Sequence, residues 1–156
     1  MTSIHNGAGI IITNENYSKF FVQRKDNTYP LESCRLCISL FGGACDPGEQ
    51  SSDTIVREIN EELTFNDIKI RPTFWRNFHL PGGQFTNSYD IDIFSCFLSQ
   101  EKFDALSLQI QKPNVVHEGI GEIVNRQQLC KWFDSPHLFF ASLDNVFKAF
   151  LSDHSS

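Results

Sequence analysis

Two hydrophobic patterns alternate along the chain, and together they predict a mixed α/β fold. Short runs of strand-forming residues, separated by turn signals such as those at 14–16 and 81–83, predict β-strands. These strands cover residues 9–12, 20–22, 36–41, 68–70, 74–80, 88–98 and 120–124. Apolar residues at helical spacing predict helices over 51–63, 127–133 and 138–151. Strands on both sides of a central helix, followed by further helices, predict a mixed β-sheet with helices packed on it.

The length and composition indicate one globular domain. The 156 residues contain no internal repeat, low-complexity tract or long linker, so we expect a single domain over residues 1–156. Phenylalanine occurs 15 times, which predicts a core rich in aromatic side chains. No apolar stretch approaches the roughly 20 residues that a membrane-spanning helix needs.

The net charge and the cysteines indicate which ligands and which cellular location to expect. The net charge of −6 and the pI near 5.3 argue against a broad nucleic-acid-binding surface. A nucleotide ligand stays compatible with this charge, because a bound divalent cation can invert the local field. The five cysteines are irregularly spaced, and the N-terminus lacks a signal-peptide pattern, so we expect reduced, mostly buried thiols and a cytoplasmic location. The oligomeric state is open, and a homodimer is compatible with the sequence.

The helix predicted over residues 51–63 carries an unusual anionic face. At about 100° per residue, Ile55 and Ile59 lie on one arc, and Glu58, Glu61 and Glu62 lie on the adjoining one. Glutamates one turn apart repel each other, and their i+4 positions hold no lysine or arginine. A solvated surface would accept such a face, but clustered carboxylates are also what a hard divalent cation uses as ligands. The metal explains the cluster better.

The spacing of residues around this helix closely resembles the signature of the Nudix hydrolases. That signature reads Gly-x5-Glu-x7-Arg-Glu-U-x-Glu-Glu-x-Gly-U, where U is a bulky aliphatic residue. Seven of its nine specified positions match in this chain: Gly43, Glu49, Arg57, Glu58, Ile59, Glu61 and Glu62. The departures are Thr64 at the glycine position and Phe65 at the last aliphatic position. A glycine there would end the helix in a left-handed conformation, so Thr64 predicts that the chain turns later, near Asn66 and Asp67.

The resemblance implies a Nudix-type α/β/α sandwich with a mixed β-sheet and a loop–helix–loop that binds Mg²⁺ or Mn²⁺. It implies that Glu58, Glu61, Glu62 and the carbonyl of Gly43 bind the metal. The segment 117–123 resembles the family's late loop and strand, which implies a further acidic ligand at Glu118. It also implies that Glu49 and Arg57 form an ion pair that orients the ligating carboxylates.

By the same resemblance, a carboxylate takes a proton from water that attacks a diphosphate. Glu58 is the first candidate for this base and Glu118 the second, with the neighbouring His117 a weaker one. The resemblance implies a small nucleotide as substrate, and we expect nucleoside diphosphate sugars slightly ahead of dinucleoside polyphosphates and nucleoside triphosphates. Core packing is the better interpretation of each aromatic residue taken alone, and Trp75 and Tyr89 are the candidates for stacking on the base instead. The alternative function is a Nudix-like binding or regulatory module that has lost hydrolysis.

Overall fold

The fold is built on a seven-stranded mixed sheet in the computed structural model, which describes residues 4–81 and 87–154. The strands are β1 (Ile4–Asn14), β2 (Lys19–Arg24), β3 (Ile38–Ser39), β4 (Phe41–Ala44), β5 (Thr73–Leu80), β6 (Ser88–Leu98) and β7 (Ile120–Asn125). The main path runs β3-β2-β1-β6-β5, with β4 paired to β1 and β7 paired to β2. β1 is parallel to β6 along its whole length, whereas the other pairs are antiparallel.

Helices cover both sides of this sheet and enclose two hydrophobic cores. The helices are α1 (Ser51–Glu62), α2 (Gln100–Gln109), α3 (Arg126–Trp132) and α4 (Asp144–Asp153). Because successive strand residues point to opposite faces, Ile10 and Ile12 of β1 pack with α1 and α2, and Ile11 packs with α3 and α4. The α/β/α sandwich and the aromatic-rich core are therefore confirmed. The fully buried phenylalanines are Phe20, Phe21, Phe41, Phe103, Phe147 and Phe150.

The segment around residues 36–41 differs from the single strand that its composition predicts. Leu36 has a left-handed φ of 66°, and the N–H of Cys37 donates to the carbonyl of Cys34 at 3.2 Å, so this part is a turn. The rest of the predicted segment forms two short strands, β3 and β4, and β4 continues through Gly42 and Gly43. The two thiols of the turn are buried, as predicted.

Two other predictions need correction, and one helix was missed. Residues 68–70 form no strand; Ile68 and Ile70 pack against the core beside α1 instead. The helix predicted over 138–151 begins only at Asp144, after short 3-10 turns at Pro136–Leu138 and Phe140–Ser142. Helix α2 was not predicted at all. The predicted turn at 81–83 falls mostly outside the described residues.

None of the helices within residues 4–81 and 87–154 has the length and apolarity that a membrane span requires.

The end of α1 follows the route that Thr64 predicts. The helix ends at Glu62, Leu63 is extended with φ −132°, and Thr64 does not take a left-handed conformation. The left-handed residue is instead Asp67, with φ 59°. Thr64 donates its N–H to the carbonyl of Val115 at 2.9 Å, so the chain beyond the helix runs beside the loop that leads to β7.

We expect Thr64→Gly to lower the free energy of unfolding by about 1 kcal/mol, because glycine loses more backbone entropy on folding and relieves no strain at this position. The change also removes the contact between Thr64 Oγ1 and His117 Nε2, 2.7 Å apart. Urea unfolding measures the effect. Asp67→Gly is the matched control and should be neutral or stabilising, because its φ is already left-handed. A clear gain in stability from Thr64→Gly would contradict this description of the helix end.

Candidate active site

The acidic residues of α1 lie in three different environments. Ile55 and Ile59 turn one face of the helix into the core, and this places Glu62 at the sheet, where it is only 3% exposed. The side chain of Glu58 is 13% exposed, whereas that of Glu61 is 58% exposed. The helix therefore directs Glu58 and Glu62 inward and leaves Glu61 at the solvent side.

Glu118 joins these two inward-facing carboxylates from the loop before β7. Glu58, Glu62 and Glu118 each offer a carboxylate oxygen, and these atoms all lie within 4.8 Å of one another. The loop is attached directly to the end of α1, because the N–H of His117 donates to the carbonyl of Glu62 at 2.7 Å. An isolated bridge between Leu63 and Val116 strengthens the same connection. We call Glu58, Glu62 and Glu118 the carboxylate cluster.

Burial makes negative charge costly at two members of the carboxylate cluster, Glu58 and Glu62, whereas Glu118 is exposed. Glu62 Oε2 accepts a hydrogen bond from the N–H of Gly42 at 2.9 Å. The pKa of Glu62 is nevertheless raised, first by burial and then by a hydrogen bond with the Glu118 carboxyl group. Burial also raises the pKa of Glu58, against the opposing effect of Arg57. Three carboxylates at this distance need a proton or a cation between them.

Arg57 connects the carboxylate cluster to the loop that precedes α1. Its Nε and Nη2 donate to the two carboxylate oxygens of Glu49 at 3.0 and 2.9 Å, which is the bidentate geometry of strong ion pairs. These bonds lower the pKa of Glu49 to about 2, with help from Thr54 and the N–H of Asp46. Nη1 of Arg57 donates to Glu58 Oε1 at 3.0 Å. The predicted Glu49–Arg57 ion pair is present, and it fixes one oxygen of Glu58.

Gly43 allows the carboxylate of Glu58 to approach the backbone of β4. A Cβ at this position would lie 2.5 Å from Glu58 Oε1 and 2.7 Å from its Cδ. Any side chain would therefore displace the carboxylate from its place in the cluster. The structure thus brings Gly43, Glu49, Arg57, Glu58, Glu62 and Glu118 together, and it leaves Glu61 at the edge, 3.5 Å from Arg57.

A cleft of about 270 Å³ opens beside the carboxylate cluster. Glu118, Gly42 and Gly43 connect the cleft to the cluster, and aromatic residues form another part of its lining. Of the predicted aromatic residues, Tyr89 lines this cleft. Trp75 does not: it packs on Phe150 and donates to Asp153 at 3.2 Å. His117 is exposed and bonded to Thr64.

Three residues of the cleft were missed by sequence reasoning, namely Lys25, Tyr29 and Phe140. Lys25 and Tyr29 follow β2, and Phe140 lies in a 3-10 turn more than a hundred residues later. No motif or periodicity joins them. The one local signal was the turn-forming composition of residues 26–30, which marks a loop without showing what the loop faces.

Part of this chain is similar in sequence to a known protein. A Bacillus subtilis protein provisionally named 8-oxo-dGTP diphosphatase is 39% identical over 87 residues, which cover 51% of this chain and 53% of that protein. The chain thus spans about half the length of this curated relative.

Two solved structures have the same fold. The MutT protein from Methanosarcina mazei has a TM-score of 0.63 at 18% identity, with 99% of this chain and 98% of that one covered. The NUDIX hydrolase from Nitrosomonas europaea has a TM-score of 0.66 at 12% identity, with coverages of 97% and 91%. The family model of the NUDIX domain matches residues 3–139, which is most of the sequence. With its signature helix beside a mixed sheet, the chain therefore belongs to the NUDIX domain family.

Proposed function

We propose that this chain is a divalent-metal-dependent hydrolase that cleaves a diphosphate bond in a nucleoside diphosphate derivative. The observation that carries the proposal is the carboxylate cluster, whose three oxygens lie within 4.8 Å of one another beside an open cleft. The positive charge of Arg57 is engaged mainly by Glu49, so it compensates the cluster only in part. A substrate diphosphate would add further negative charge here, which requires a cation.

The donor set fits Mg²⁺ or Mn²⁺, because hard divalent cations prefer carboxylate and carbonyl oxygens. Glu58, Glu62 and Glu118 would hold the ion, and Glu61 and the carbonyl of Gly43 are further candidate ligands. Such an ion supplies Lewis-acid stabilisation of the diphosphate charge and acidifies the attacking water. Glu49 and Arg57 would act as positioning residues, since their ion pair holds Glu58.

The reaction needs one carboxylate that accepts a proton. A water oxygen forms a bond to phosphorus, the bond from phosphorus to the bridging oxygen breaks, and the water proton passes to the base. Glu58 is our first candidate for this base, because burial raises its pKa and the cleft lies beside it. Glu118 is the second candidate, because it also lines the cleft.

Two substrate classes follow from different observations. Nucleoside diphosphate sugars are our first expectation, since the sequence carries no additional motif that indicates another branch of the family. Nucleoside triphosphates are favoured by the name of the Bacillus subtilis relative. The products distinguish these classes: a sugar phosphate is released from the first and pyrophosphate or phosphate from the second.

We expect hydrolysis of at least one member of a panel of nucleoside diphosphate sugars, nucleoside triphosphates and dinucleoside polyphosphates in the presence of Mg²⁺ or Mn²⁺. Chelation with excess EDTA should abolish turnover, because the carboxylate cluster cannot accept a substrate diphosphate without a cation. Ion-exchange chromatography of the products measures both the rate and the bond that is cleaved.

Two outcomes would overturn the proposal. Turnover that persists in excess chelator would exclude a metal-dependent reaction. Binding of nucleotides without any turnover across the panel would instead favour the alternative function, a binding or regulatory module. The retention of Glu49, Glu58, Glu61 and Glu62 supports the enzyme over this alternative.

A further inference from the structure

Lys25 lines the cleft with an unusual set of neighbours. Its Nζ lies 4.9 Å from the centre of the Tyr29 ring and 5.0 Å from that of Phe140. Within residues 4–81 and 87–154, no carboxylate forms an ion pair with this ammonium and no oxygen accepts a hydrogen bond from it. Burial lowers the pKa of Lys25, and the charges of Glu118 and Glu62 oppose this effect. An ammonium group so placed retains unused hydrogen-bond donors.

The backbone around Phe140 is strained, which indicates that its position is enforced. Ala141 and Ser142 are consecutive non-glycine residues with left-handed φ values of 50° and 64°. Such conformations persist only where the surrounding packing imposes them, and they cluster at ligand sites. Ala141 is buried and lines the cleft together with Phe140. The turn therefore holds an aromatic ring against Lys25 and Tyr29.

We infer that Lys25 recognises the nucleobase of the substrate by donating a hydrogen bond to a carbonyl oxygen on its edge. The inference rests on the proposed function in one respect, that the ligand of the cleft is a nucleotide. Tyr29, Tyr89 and Phe140 supply aromatic surfaces for a planar base, and Lys25 supplies the polar contact. The substrates are then nucleotides of the keto bases guanine, thymine and uracil, in preference to those of adenine and cytosine.

The functional groups of the bases explain why Lys25 would prefer keto bases to amino bases. Guanine and thymine present a carbonyl oxygen where adenine and cytosine present an amino group. An ammonium group has three donors and no acceptor, so it stabilises the carbonyl and repels the amino group. The cleft volume of about 270 Å³ lies near the lower limit of the roughly 300–1,000 Å³ of small-molecule sites, so it suits a ligand as small as one nucleoside.

A phosphate is a less suitable partner for Lys25 than a base. The ammonium lies close to two ring faces, and the negative charges of Glu118 and Glu62 already act on it. Among the described residues that line this cleft, Lys25 is the one lysine and there is no arginine. Phosphate sites in proteins combine several cations or a series of backbone N–H groups.

The test is equilibrium binding of dGMP, dAMP, dTMP and dCMP by isothermal titration calorimetry with Mg²⁺ present. These monophosphates hold no diphosphate bond, so the result does not depend on turnover and is separate from the test of hydrolysis. The pairs dGMP/dAMP and dTMP/dCMP match the bases in size. We expect each keto member to bind at least about 10-fold more tightly than its amino partner, as for a hydrogen bond from a charged donor.

Lys25→Met keeps most of the aliphatic stem on the two rings and removes the donor. The dissociation constant of dGMP should rise roughly 10- to 100-fold and that of dAMP less than 3-fold, so that the preference disappears. Lys112→Met is the matched control on an exposed lysine outside the cleft and should change neither value. Equal binding of all four ligands by the natural protein, or no binding, would overturn the inference. An equal loss for all four in Lys25→Met would assign Lys25 to the phosphate instead.

Discussion

Glu62→Gln is expected to lower kcat by at least roughly 100-fold, because residues that merely orient metal ligands already contribute 10- to 100-fold. Glu62 is the most buried member of the carboxylate cluster, and glutamine carries no charge to hold a cation. The fold should survive, since the amide oxygen can accept the hydrogen bond from Gly42 that Glu62 Oε2 now accepts.

The same variant should be the more stable protein when no metal is present. The pKa of Glu62 is raised by burial above its ordinary value of 4.5, so the folded state keeps a proton that the unfolded chain releases. The stability from this proton is complete below pH 4.5 and is lost as the pH rises through the raised pKa. Glutamine does not titrate, so the metal-free variant should lose less stability than the natural protein as the pH rises, and the raised pKa of Glu58 accounts for the smaller loss that remains.

Thermal unfolding at several pH values, with and without Mg²⁺, measures both effects. At pH 8, Mg²⁺ should raise the melting temperature of the natural protein and leave that of Glu62→Gln unchanged. Glu101→Gln, on the exposed first turn of α2, is the control and should behave as the natural protein does. Retention of kcat within threefold by Glu62→Gln would remove Glu62 from the metal site.

Gly42→Ala is expected to destabilise the protein by about 4 kcal/mol or more, the range reserved for severe steric or backbone conflicts. Gly42 has φ 141°, and an added Cβ would lie 2.1 Å from the carbonyl oxygen of Ala8 and 2.8 Å from Cα of Gly9. These atoms belong to the backbone of the central strand β1, which cannot move without disturbing the sheet. The N–H that binds Glu62 would be displaced as well.

Gly48→Ala separates the steric conflict from the backbone strain. Gly48 is also left-handed, with φ 78°, but no heavy atom of the described residues, apart from its chain neighbours, lies within 4 Å of the Cβ position. This control should cost only about 1–2 kcal/mol. Urea unfolding measures the free energy of unfolding of both variants. If both lose the same amount of stability, the close contact of β4 with β1 is not the reason for glycine at position 42.

The sequence predicted the parts of the fold whose periodicity is local. Helix α1 was predicted well because its apolar and acidic residues separate onto two faces. Helix α2 was missed because few of its apolar residues face the core: Phe103 and Leu106 are buried, whereas Leu108 is 67% exposed. Its start at Ser99, whose hydroxyl accepts from the N–H of Lys102 at 3.2 Å, was the available signal.

The residues of the candidate site were likewise predictable only where they share one local motif. The spacing of Glu58 and Glu62 brings them together on one helix, so the motif alone predicts their proximity. Glu118 could be identified only by resemblance, because it reaches the cluster through a contact distant in sequence. The aromatic part of the cleft lining depends on two loops and a strand that approach each other only in the folded chain, so no local pattern encodes it.

The attachment of the late loop to the end of α1 has a consequence for ligand binding. The N–H of His117 binds the carbonyl of Glu62, and the N–H of Thr64 binds that of Val115. Glu118 is thus fixed close to Glu62 by main-chain hydrogen bonds before any ligand arrives. The loop loses its conformational entropy when the protein folds, not when the cation binds. The cation therefore binds to carboxylate oxygens that are already in position. Affinity for the ion is then tied to the conformational stability of the helix terminus.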